Sequence, residues 1–305
     1  MNDGGPLLDA CFFPPAGASV DLAVSGGADS LGLLLLALDG RLTVCVHHVN
    51  HHARAASGDD AELVRRTCAA RDVRCVVHDV VVAPGPNFEA RARAARRAVL
   101  PRGVLTGHTM DDLAETVLLN MLRGAGLDGL SPMVGDPTKP LRALRRAELR
   151  DFVERRELVV AHDVTNEDGR FRRNQVRHRL LPLMNDVAQR DVVEILARQA
   201  TVLAEERAWI AELSRDDLTH ALGELDCREL RGWPLARLRR WLRARLTNTD
   251  ALGELHPPSA AEVARALDVV SGAAVATQLS GGRRLSRRGQ RLRLEDDSTT
   301  LTNHE

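Results

Sequence analysis

One short segment of the sequence combines residue types that bind phosphate. It follows an apolar stretch and consists of Ser25, Gly26, Gly27, Ala28, Asp29 and Ser30. Two adjacent glycines let the backbone turn tightly and direct consecutive N–H groups at one anion, and the serine hydroxyls and the positive end of a following helix add to that cradle. The Asp29 carboxylate would repel a bare phosphate, so we expect Mg²⁺ at Asp29 between them. The alternative is a plain strand–turn–helix connection with an aspartate cap.

A second segment repeats this arrangement further along the chain. An apolar stretch ends at Thr106, the chain turns at Gly107 and His108, and a helix is predicted to start at Asp111 and Asp112. Two aspartates at a helix start are also explained by capping and by the helix dipole, each contributing about 0.5–1 kcal/mol. The sharper interpretation places this turn beside the phosphate loop, where the carboxylates hold magnesium or position a nucleophile.

The elements that must position these segments alternate in the first half of the chain. Apolar strands are predicted at Val20–Val24, Leu42–Val46, Val73–Val80 and Gly103–Thr106. Amphipathic helices are predicted at Asp29–Leu38, Ser57–Arg71, Phe88–Leu100 and Asp111–Leu122. Strands that are apolar on both faces indicate a parallel sheet covered by helices on both sides. This is the doubly wound α/β fold, in which ligands bind at the carboxyl ends of the strands.

The second half of the chain has a different pattern. A long helix is predicted at Asp186–Ala211, shorter helices at Pro234–Leu246 and Ser259–Val270, and a hairpin at Ala273–Leu294. A length of 305 residues suggests two domains at roughly 150 residues each. We therefore expect an α/β domain over residues 1–184, a connecting helix over 185–215 and a smaller, mainly helical domain over 216–305.

Composition excludes several classes of protein. Lys139, the only lysine, lies between Thr138 and Pro140, which excludes a Walker A loop and a lysine Schiff-base enzyme. The five cysteines form no Cys-x-x-Cys pair, which argues against a disulfide framework, a zinc ribbon and a cysteine-ligated iron–sulfur cluster. The longest apolar run, Leu31–Leu38, is far shorter than the ~20 residues of a membrane span. We expect a cytoplasmic protein without a membrane partner.

The phosphate-binding segment resembles the pyrophosphate-binding loop of the ATP pyrophosphatases, or PP-loop enzymes. The resemblance implies that ATP is a substrate, that it is cleaved between its α and β phosphates, and that a carbonyl oxygen is adenylylated. Within this group, several ordered segments over about residues 18–184 resemble the tRNA(Ile)-lysidine synthetases.

One of these segments, Val46–Arg54, resembles the family's His-Val-Asn-His-Gly-Leu-Arg sequence, although His52 and Ala53 replace its Gly-Leu pair. The resemblance implies that the ATP-binding residues beyond the loop are His48, Asn50, His51, Gly107 and His108. A metal cluster is the alternative for four neighbouring histidines, but consecutive strand residues face opposite ways and cannot all converge on one ion.

Later segments resemble family elements that bind the substrates. The implied substrate-binding residues are Glu89, Arg93, Arg96, Arg146, Asn166, Arg173, Asn174 and Arg177. Arg97 replaces a family tyrosine, and Lys139 replaces a family arginine. The spacing of the first three substrate-binding residues is also typical of a solvated helix face with an ion pair. Arg123 lies in a glycine-rich turn that resembles the family's, where its planar fork would meet a phosphate.

The resemblance implies a ligation in two steps. The carbonyl oxygen at carbon 2 of the wobble cytidine, in tRNA(Ile) with a CAU anticodon, attacks the α-phosphate of ATP and releases pyrophosphate. The ε-amine of free L-lysine then displaces AMP. The implied catalytic residues are Asp29, Asp111, Asp112, Glu115 and Arg123. A carboxylate pocket for the lysine ammonium has as candidates Asp111, Asp112, Glu115 and Glu89.

Two alternatives to this function stay open. A related 2-thiolation enzyme of tRNA is disfavoured because such enzymes carry catalytic or cluster-binding cysteines. A non-catalytic RNA-binding module is disfavoured by the intact phosphate loop. Family members are often dimeric, so a homodimer is one expected assembly.

Arginine clusters suggest a polyanionic partner in an otherwise neutral chain. The stretch from Lys139 to Arg179 has more basic than acidic residues. A second cluster consists of Arg231, Arg237, Arg239, Arg240, Arg243 and Arg245. A third consists of Arg283, Arg284, Arg287, Arg288, Arg291 and Arg293. Charge runs are usually solvated faces, but three basic stretches in a neutral protein favour RNA.

Overall fold

The computed structural model describes residues 5–50, 57–81, 88–161, 171–222, 224–249 and 255–296, apart from the side chains of residues 57, 88–90, 92 and 93. Two of the predicted site residues, His51 and Asn166, lie outside the described residues. The chain forms two compact units, Met1–Arg207 and Ala208–Glu305. None of the described helices is long and apolar enough to cross a membrane.

A parallel sheet forms the centre of the first unit. In the described part of the chain its strands are β1 (Ser19–Ala23), β2 (Thr43–Asn50), β3 (Arg74–Asp79) and β4 (Leu105–Thr106). Their order is β3-β2-β1-β4, so β1 pairs on one side with β2 and on the other with β4. The strand order therefore reverses between β1 and β4, and a ligand crevice is expected at the carboxyl ends of these two strands. The predicted doubly wound fold is confirmed.

Helices surround this sheet. They are α1 (Gly5–Asp9), α2 (Ala28–Asp39), α3 (Ser57–Ala69), α4 (Phe88–Val99), α5 (Met110–Met121), α6 (Leu127–Leu130), α7 (Arg146–Arg155), α8 (Arg172–Gln175), α9 (Leu181–Ala188) and α10 (Val192–Leu213). A π-helical turn, Val176–Leu180, joins α8 to α9. The leucines of α2 are buried together with Leu149 and Phe152 of α7. Because α2 is apolar on all sides, it is held firmly and fixes the loop that precedes it.

Two predicted elements differ from those observed in the first unit. Strand β2 continues to Asn50, four residues beyond its predicted end at Val46, because its ladder with β3 extends that far. The predicted helix Asp186–Ala211 is present from Val192 onward but is not continuous, since α9 ends at Ala188 and α10 starts anew. Gln189 adopts a left-handed conformation there (φ 51°), and the side chain of Asn185 accepts a hydrogen bond from the first N–H of α10. These local interactions replace the missing helical hydrogen bonds.

The second unit combines helices with two small antiparallel sheets. Its described elements after α10 are a 3₁₀ turn (Asp217–Thr219), α11 (Cys227–Arg231), α12 (Leu235–Leu246), β5 (Asn248–Thr249), β6 (Leu255–His256), α13 (Ala260–Ser271), β7 (Ala276–Leu279), β8 (Arg283–Arg288) and β9 (Arg291–Asp296). Its core contains Trp241, Leu242, Val269 and Leu285. Strands β7, β8 and β9 form a three-stranded sheet instead of the predicted single hairpin, because Gly289 (φ 61°) allows a second tight turn.

Candidate active site

The phosphate loop lies between β1 and α2, at the point where the strand order reverses. The Ser25 N–H donates to the Ser30 hydroxyl oxygen (3.2 Å), and the Ser30 hydroxyl donates to the Gly27 carbonyl (2.9 Å). Gly26 has φ 95°, and a Cβ there would lie 3.2 Å from Cβ of Ala161. Glycine is therefore favoured at position 26 both by the positive φ angle and by the lack of space for a side chain.

The start of α2 is open to an anion. Gly27 is the residue that precedes the helix, and no side chain caps it. Asp29 lies within the first turn instead of at the cap position, so the interpretation of the loop as a plain connection with an aspartate cap is wrong. The first N–H groups of α2 and its positive dipole end are directed at the crevice, where a phosphate group would satisfy them.

Gly107 allows the turn after β4 to pack directly against the backbone of the phosphate loop. A Cβ at Gly107 would lie 2.6 Å from the carbonyl oxygen of Asp29 and 3.1 Å from the backbone nitrogen of Ser30. No other residue fits at this distance without moving one of the two backbones. The structure thus brings the turn after β4 against the loop after β1, as the strand order requires.

Two histidines, His48 and His108, lie beside this crevice and are kept neutral by burial. His48 Nδ1–H donates to the carbonyl of Val24 (2.9 Å) immediately before the loop, and burial lowers the pKa of His48. His108 Nδ1 lies 2.7 Å from the Thr106 hydroxyl, which also accepts a hydrogen bond from Lys139 Nζ (2.8 Å). Burial lowers the pKa of His108 to about 4. Both rings are therefore uncharged near neutral pH and suited to hydrogen bonding.

The start of α5 holds Asp112 in a fixed orientation. Asp112 Oδ2 accepts hydrogen bonds from the backbone N–H (2.8 Å) and the hydroxyl (2.9 Å) of Thr109, which caps the helix. Its other oxygen, Oδ1, accepts from Arg146 (2.9 Å) and Arg173 (3.0 Å). Burial would raise the pKa of Asp112, but Arg146, Arg173 and the Thr109 N–H lower it below its ordinary value. The side chain is therefore a carboxylate with both oxygens engaged.

Glu115 lies one turn further along α5 and is completely buried. Its Oε1 accepts from Arg146 (3.2 Å) and Arg177 (2.6 Å), and its Oε2 accepts from Arg173 (2.7 Å) and Arg177 (3.1 Å). Arg173 and Arg177 reach the same carboxylate because they lie four residues apart on consecutive helical turns. A buried carboxylate with four charged hydrogen bonds has no further capacity for a ligand.

Arg146 is the centre of this network. Its Nε donates to Asp29 Oδ2 (3.2 Å), and its other two nitrogens donate to Asp112 and Glu115. Its backbone N–H donates to Asp111 (2.8 Å). Burial alone would lower the pKa of Arg146, but the surrounding carboxylates raise it. One guanidinium thus joins the phosphate loop to the start of α5.

Asp111 faces a separate arginine. Arg145 donates to both of its oxygens (3.3 and 3.2 Å) and also pairs with Asp191, just before α10. Burial would raise the pKa of Asp111, but Arg145 and the Arg146 N–H lower it below its ordinary value. The predicted acidic pair at the helix start is therefore divided, since the two carboxylates accept from different guanidinium groups.

Asp29 is the one carboxylate here that keeps an unused oxygen. Its Oδ1 is buried without a hydrogen-bond partner among the described atoms, while Oδ2 accepts from Arg146. Burial raises the pKa of Asp29, and Arg146 opposes that rise. A buried carboxylate oxygen is costly unless a partner satisfies it. Its hard oxygen donor, beside an anion-binding loop, fits a magnesium ion that also contacts phosphate.

The remaining predicted residues are not all brought to this cluster. Arg123 follows the far end of α5, roughly 18 Å along the helix axis from Asp111 at about 1.5 Å per residue. Arg96 is exposed on α4, and Asn50 and Asn174 are buried on β2 and α8. The side chains of Glu89 and Arg93 lie outside the described part of the structure.

Sequence reasoning missed three members of the site. These are Thr109, Arg145 and Asp191. The Thr109-x-x-Asp112 spacing is a capping-box signal and would have predicted the first of them. Nothing in the sequence distinguishes Arg145 from its neighbours or connects it with Asp191, 46 residues later.

The comparisons with known proteins agree with this geometry. A family model described as a PP-loop domain matches residues 8–184. A protein from Mycobacterium leprae named tRNA(Ile)-lysidine synthase is 37% identical over 246 residues, which are 76% of this chain and 76% of the relative. A protein of the same name from Nocardia farcinica is 36% identical over 251 residues, 78% of each chain. For one from Solibacter usitatus, 39% identical over 66% of this chain, the match spans only 49% of the relative.

A solved structure shares the fold. The U34-tRNA thiolase NcsA from Methanococcus maripaludis, with its [4Fe-4S] cluster, superposes with a TM-score of 0.54 at 18% identity, covering 66% of this chain and 77% of that one. At that identity the likeness concerns the fold alone. Since the PP-loop match covers more than half of the chain and lysidine synthases align over about three quarters of it, the chain belongs to the tRNA(Ile)-lysidine synthase family of PP-loop proteins.

Proposed function

We propose that this chain attaches L-lysine to carbon 2 of the wobble cytidine of tRNA(Ile) with a CAU anticodon, in the cytoplasm. ATP first adenylylates the cytidine and releases pyrophosphate, and the lysine ε-amine then displaces AMP. Family membership supports an ATP-dependent tRNA modification. The proposal rests on the start of α2, which no side chain caps, in the crevice where the strand order reverses. Beside it lies Oδ1 of Asp29, which has no hydrogen-bond partner among the described residues.

The phosphate loop holds the part of ATP that leaves. The N–H groups at the start of α2 and the hydroxyls of Ser25 and Ser30 bind pyrophosphate oxygens. Magnesium, held by Asp29 Oδ1, would neutralise the charge that develops on this leaving group. Stabilisation of that charge by fixed donors is the main contribution the loop makes to the rate.

Within the network, the hydrogen bonds suggest different roles for the carboxylates. Glu115 is saturated by three arginines and acts as a positioning residue that holds the arginines in place. Asp112 is better suited to bind the lysine ammonium, because Nη2 of Arg173, whose side chain is 37% exposed, can turn from Asp112 to a substrate phosphate while its Nε stays on Glu115. Asp112 Oδ1, still bonded to Arg146, would then have a lone pair for the incoming amine.

His108 and His48 act through hydrogen bonds. Because burial lowers the pKa of His108 to about 4, the ring enters the reaction neutral and serves as a donor or acceptor to ATP. His48 stabilises the phosphate loop by its hydrogen bond to the carbonyl of Val24, the residue before the loop. Neither histidine is assigned as a general acid near neutral pH.

The second unit is proposed to hold the body of the tRNA, with residues 1–184 carrying the chemistry. Its arginines divide into two groups. Arg237 pairs with Asp217 and lies over the Trp233 ring (3.9 Å), and Arg283 is buried and donates to the Leu246 carbonyl (2.8 Å). These two form contacts within the protein and are therefore not among the arginines proposed to bind RNA phosphates.

Other arginines of the third cluster lie on an exposed sheet face. By strand alternation and register, this arginine face consists of Arg284, Arg288 and Arg293 on β8 and β9, while Arg291 on the same side donates to the Glu224 carbonyl. Phosphate contacts from such a face add affinity without reading bases. Wobble-base recognition would then belong to the first unit.

Exchange of labelled pyrophosphate into ATP, measured with tRNA(Ile) and with or without lysine, tests the proposed reaction. We expect exchange that depends on tRNA but not on lysine, AMP and pyrophosphate as products, and a tRNA mass increased by one lysine residue. Stoichiometric ADP would contradict the PP-loop chemistry, and incorporation of sulfur instead of lysine would indicate a thiolation enzyme. Binding of tRNA without exchange would indicate a non-catalytic module.

A further inference from the structure

A second cluster of metal-binding side chains lies on the central sheet, apart from the phosphate loop. Asp21 of β1 and Cys45 and His47 of β2 place one ligand atom each within 4.8 Å of one another. Among the described residues they are the one group of this kind. His48, one of the four histidines considered as an alternative metal cluster, does not join His47 there, because it faces the other side of β2 and bonds to the Val24 carbonyl.

Strand register explains why these three side chains meet. Asp21 is paired with Cys45 across the parallel ladder, and His47 follows Cys45 by two residues on the same strand. Residues two apart on a strand face the same side of the sheet. Leu22 and Val46, which alternate with them, face the buried core. The polar cluster therefore occupies the sheet face opposite the core.

His47 is held in place from β3. Its Nδ1 lies 2.9 Å from Nε2 of His78, and the two rings stack with centroids 5.2 Å apart. Its Nε2 lies 2.9 Å from Asp21 Oδ1. A metal-binding histidine usually donates its second ring N–H to a neighbouring acceptor, which fixes the tautomer. His78 is placed to be that acceptor, leaving His47 Nε2 to bind an ion.

We propose that Asp21, Cys45 and His47 bind a divalent transition ion of the zinc class. Carboxylate, thiolate and imidazole are all zinc ligands, and bonds of about 2.0–2.3 Å place tetrahedral ligand atoms roughly 3.3–3.8 Å apart. The widest pair of ligand atoms thus needs to close by little more than about 1 Å, while His47 Nε2 and Asp21 Oδ1, 2.9 Å apart, need to separate slightly. The side chain of Asp21 is 41% exposed, which gives the ion an entry path and leaves space for water as a fourth ligand.

The ion would link β1 to β2 next to the phosphate loop. The carbonyl of His47 already accepts a hydrogen bond from the N–H of Val24 (3.0 Å), the residue before Ser25. A bond from the same histidine through metal to Asp21 would strengthen that attachment. The site is structural and independent of the proposed reaction, since none of its ligands takes part in the network around Arg146.

Titration of Co²⁺ into full-length protein freed of metal by a chelator tests this site. We expect one equivalent to bind and to give a thiolate-to-cobalt charge-transfer band in the near ultraviolet. Cys45→Ser should abolish the band. The control is Cys75→Ser, on the neighbouring strand β3, which should leave the band unchanged. Asp29→Asn should also leave it unchanged and thereby exclude binding at the phosphate loop.

Two further measurements distinguish metal binding by all three ligands from adventitious binding to a single cysteine thiol. Asp21→Asn should weaken Zn²⁺ binding, measured by competition with a chromophoric chelator, and His78→Phe should weaken it by about 10–100-fold if His78 orients His47. Zn²⁺ should raise the melting temperature of the wild type but not of Cys45→Ser. Absence of the band, its survival in Cys45→Ser, or its loss in Cys75→Ser would overturn the proposal.

Discussion

The two units of this protein use arginine in opposite ways. In the first unit, Arg145, Arg146, Arg173 and Arg177 face inward and share the carboxylates of α2 and α5. In the second unit, Arg284, Arg288 and Arg293 lie exposed on one face of a small sheet. Both groups appear in the sequence as basic clusters. An arginine cluster in a sequence therefore indicates that anions lie nearby. The tertiary structure decides whether these anions are carboxylates of the protein itself or phosphates of a bound partner.

The physical reason lies in the partners that each fold supplies. At the crevice of the first unit, two helices begin with acidic residues at the same sheet edge, so buried carboxylates demand cations from α7, α8 and the π-helical turn. On the sheet of the second unit, Arg284 is paired with Glu295, but Arg288 is paired with another arginine, Arg291. A row of like charges is tolerated only where water or a polyanion faces it.

Removal of the buried carboxylate should have the largest effect. Glu115→Gln leaves three arginines without their shared anion and should lower the free energy of unfolding by about 3–5 kcal/mol. Hydrogen exchange of the α5 amides under denaturant measures this. The control Glu205→Gln, exposed on α10, should change stability by less than about 0.5 kcal/mol. Equal stability of the two variants would mean that the network is not the buried ionic cluster described above.

Loss of the negative charge of Asp29 should affect catalysis more than folding. Asp29→Asn removes the charge proposed to hold magnesium and should reduce pyrophosphate exchange by about 100–1000-fold. Affinity for tRNA should be nearly unchanged, because the arginine face is untouched. Exchange and filter binding on the same preparation separate the two effects. Wild-type turnover in Asp29→Asn would show that the loop has been assigned wrongly.

A pH effect distinguishes the second unit. Hydrogen bonds from Ser259 and Ser280 lower the pKa of Glu262 from 4.5 to about 2. The stabilisation that this carboxylate provides is therefore complete above pH 4.5 and is lost as the pH falls toward 2. All three tryptophans lie in the second unit, so their fluorescence reports its unfolding. Glu262→Gln should flatten the pH dependence of that transition, and an unchanged slope would contradict the assignment.

The arginine face should have the smallest effect on the reaction itself. Replacement of Arg284, Arg288 and Arg293 by Ala should weaken all tRNAs about equally. It should also reduce the slope of log affinity against log salt by about 0.7–0.9 per lost phosphate contact. The matched control replaces the same three residues by Lys, which retains the charge and most of the slope. An unchanged slope in the Ala variant would make this face a solvated surface, and the contrast between the units would fail.

Much of the first unit could be predicted from the sequence because its signals are local. The glycines of the phosphate loop, the apolar strands and the acidic start of α5 each follow from short-range patterns. Predictions failed where local propensity was overridden. The helix expected through Gln189 is interrupted by a left-handed residue, and the hairpin of the second unit gains a strand at Gly289. Helical periodicity continues across such points, so the break is invisible in the pattern.

The sequence by itself determined the phosphate loop, the parallel sheet and the family to which the chain belongs. Only the tertiary structure decided that arginines bind the carboxylates of Asp112 and Glu115, while Asp29 keeps an oxygen without a partner among the described residues. It also decided that Arg283 is buried while Arg284, the next residue, is exposed. The reason is that backbone patterns are set by near neighbours, whereas charge pairing depends on side chains brought together from distant elements.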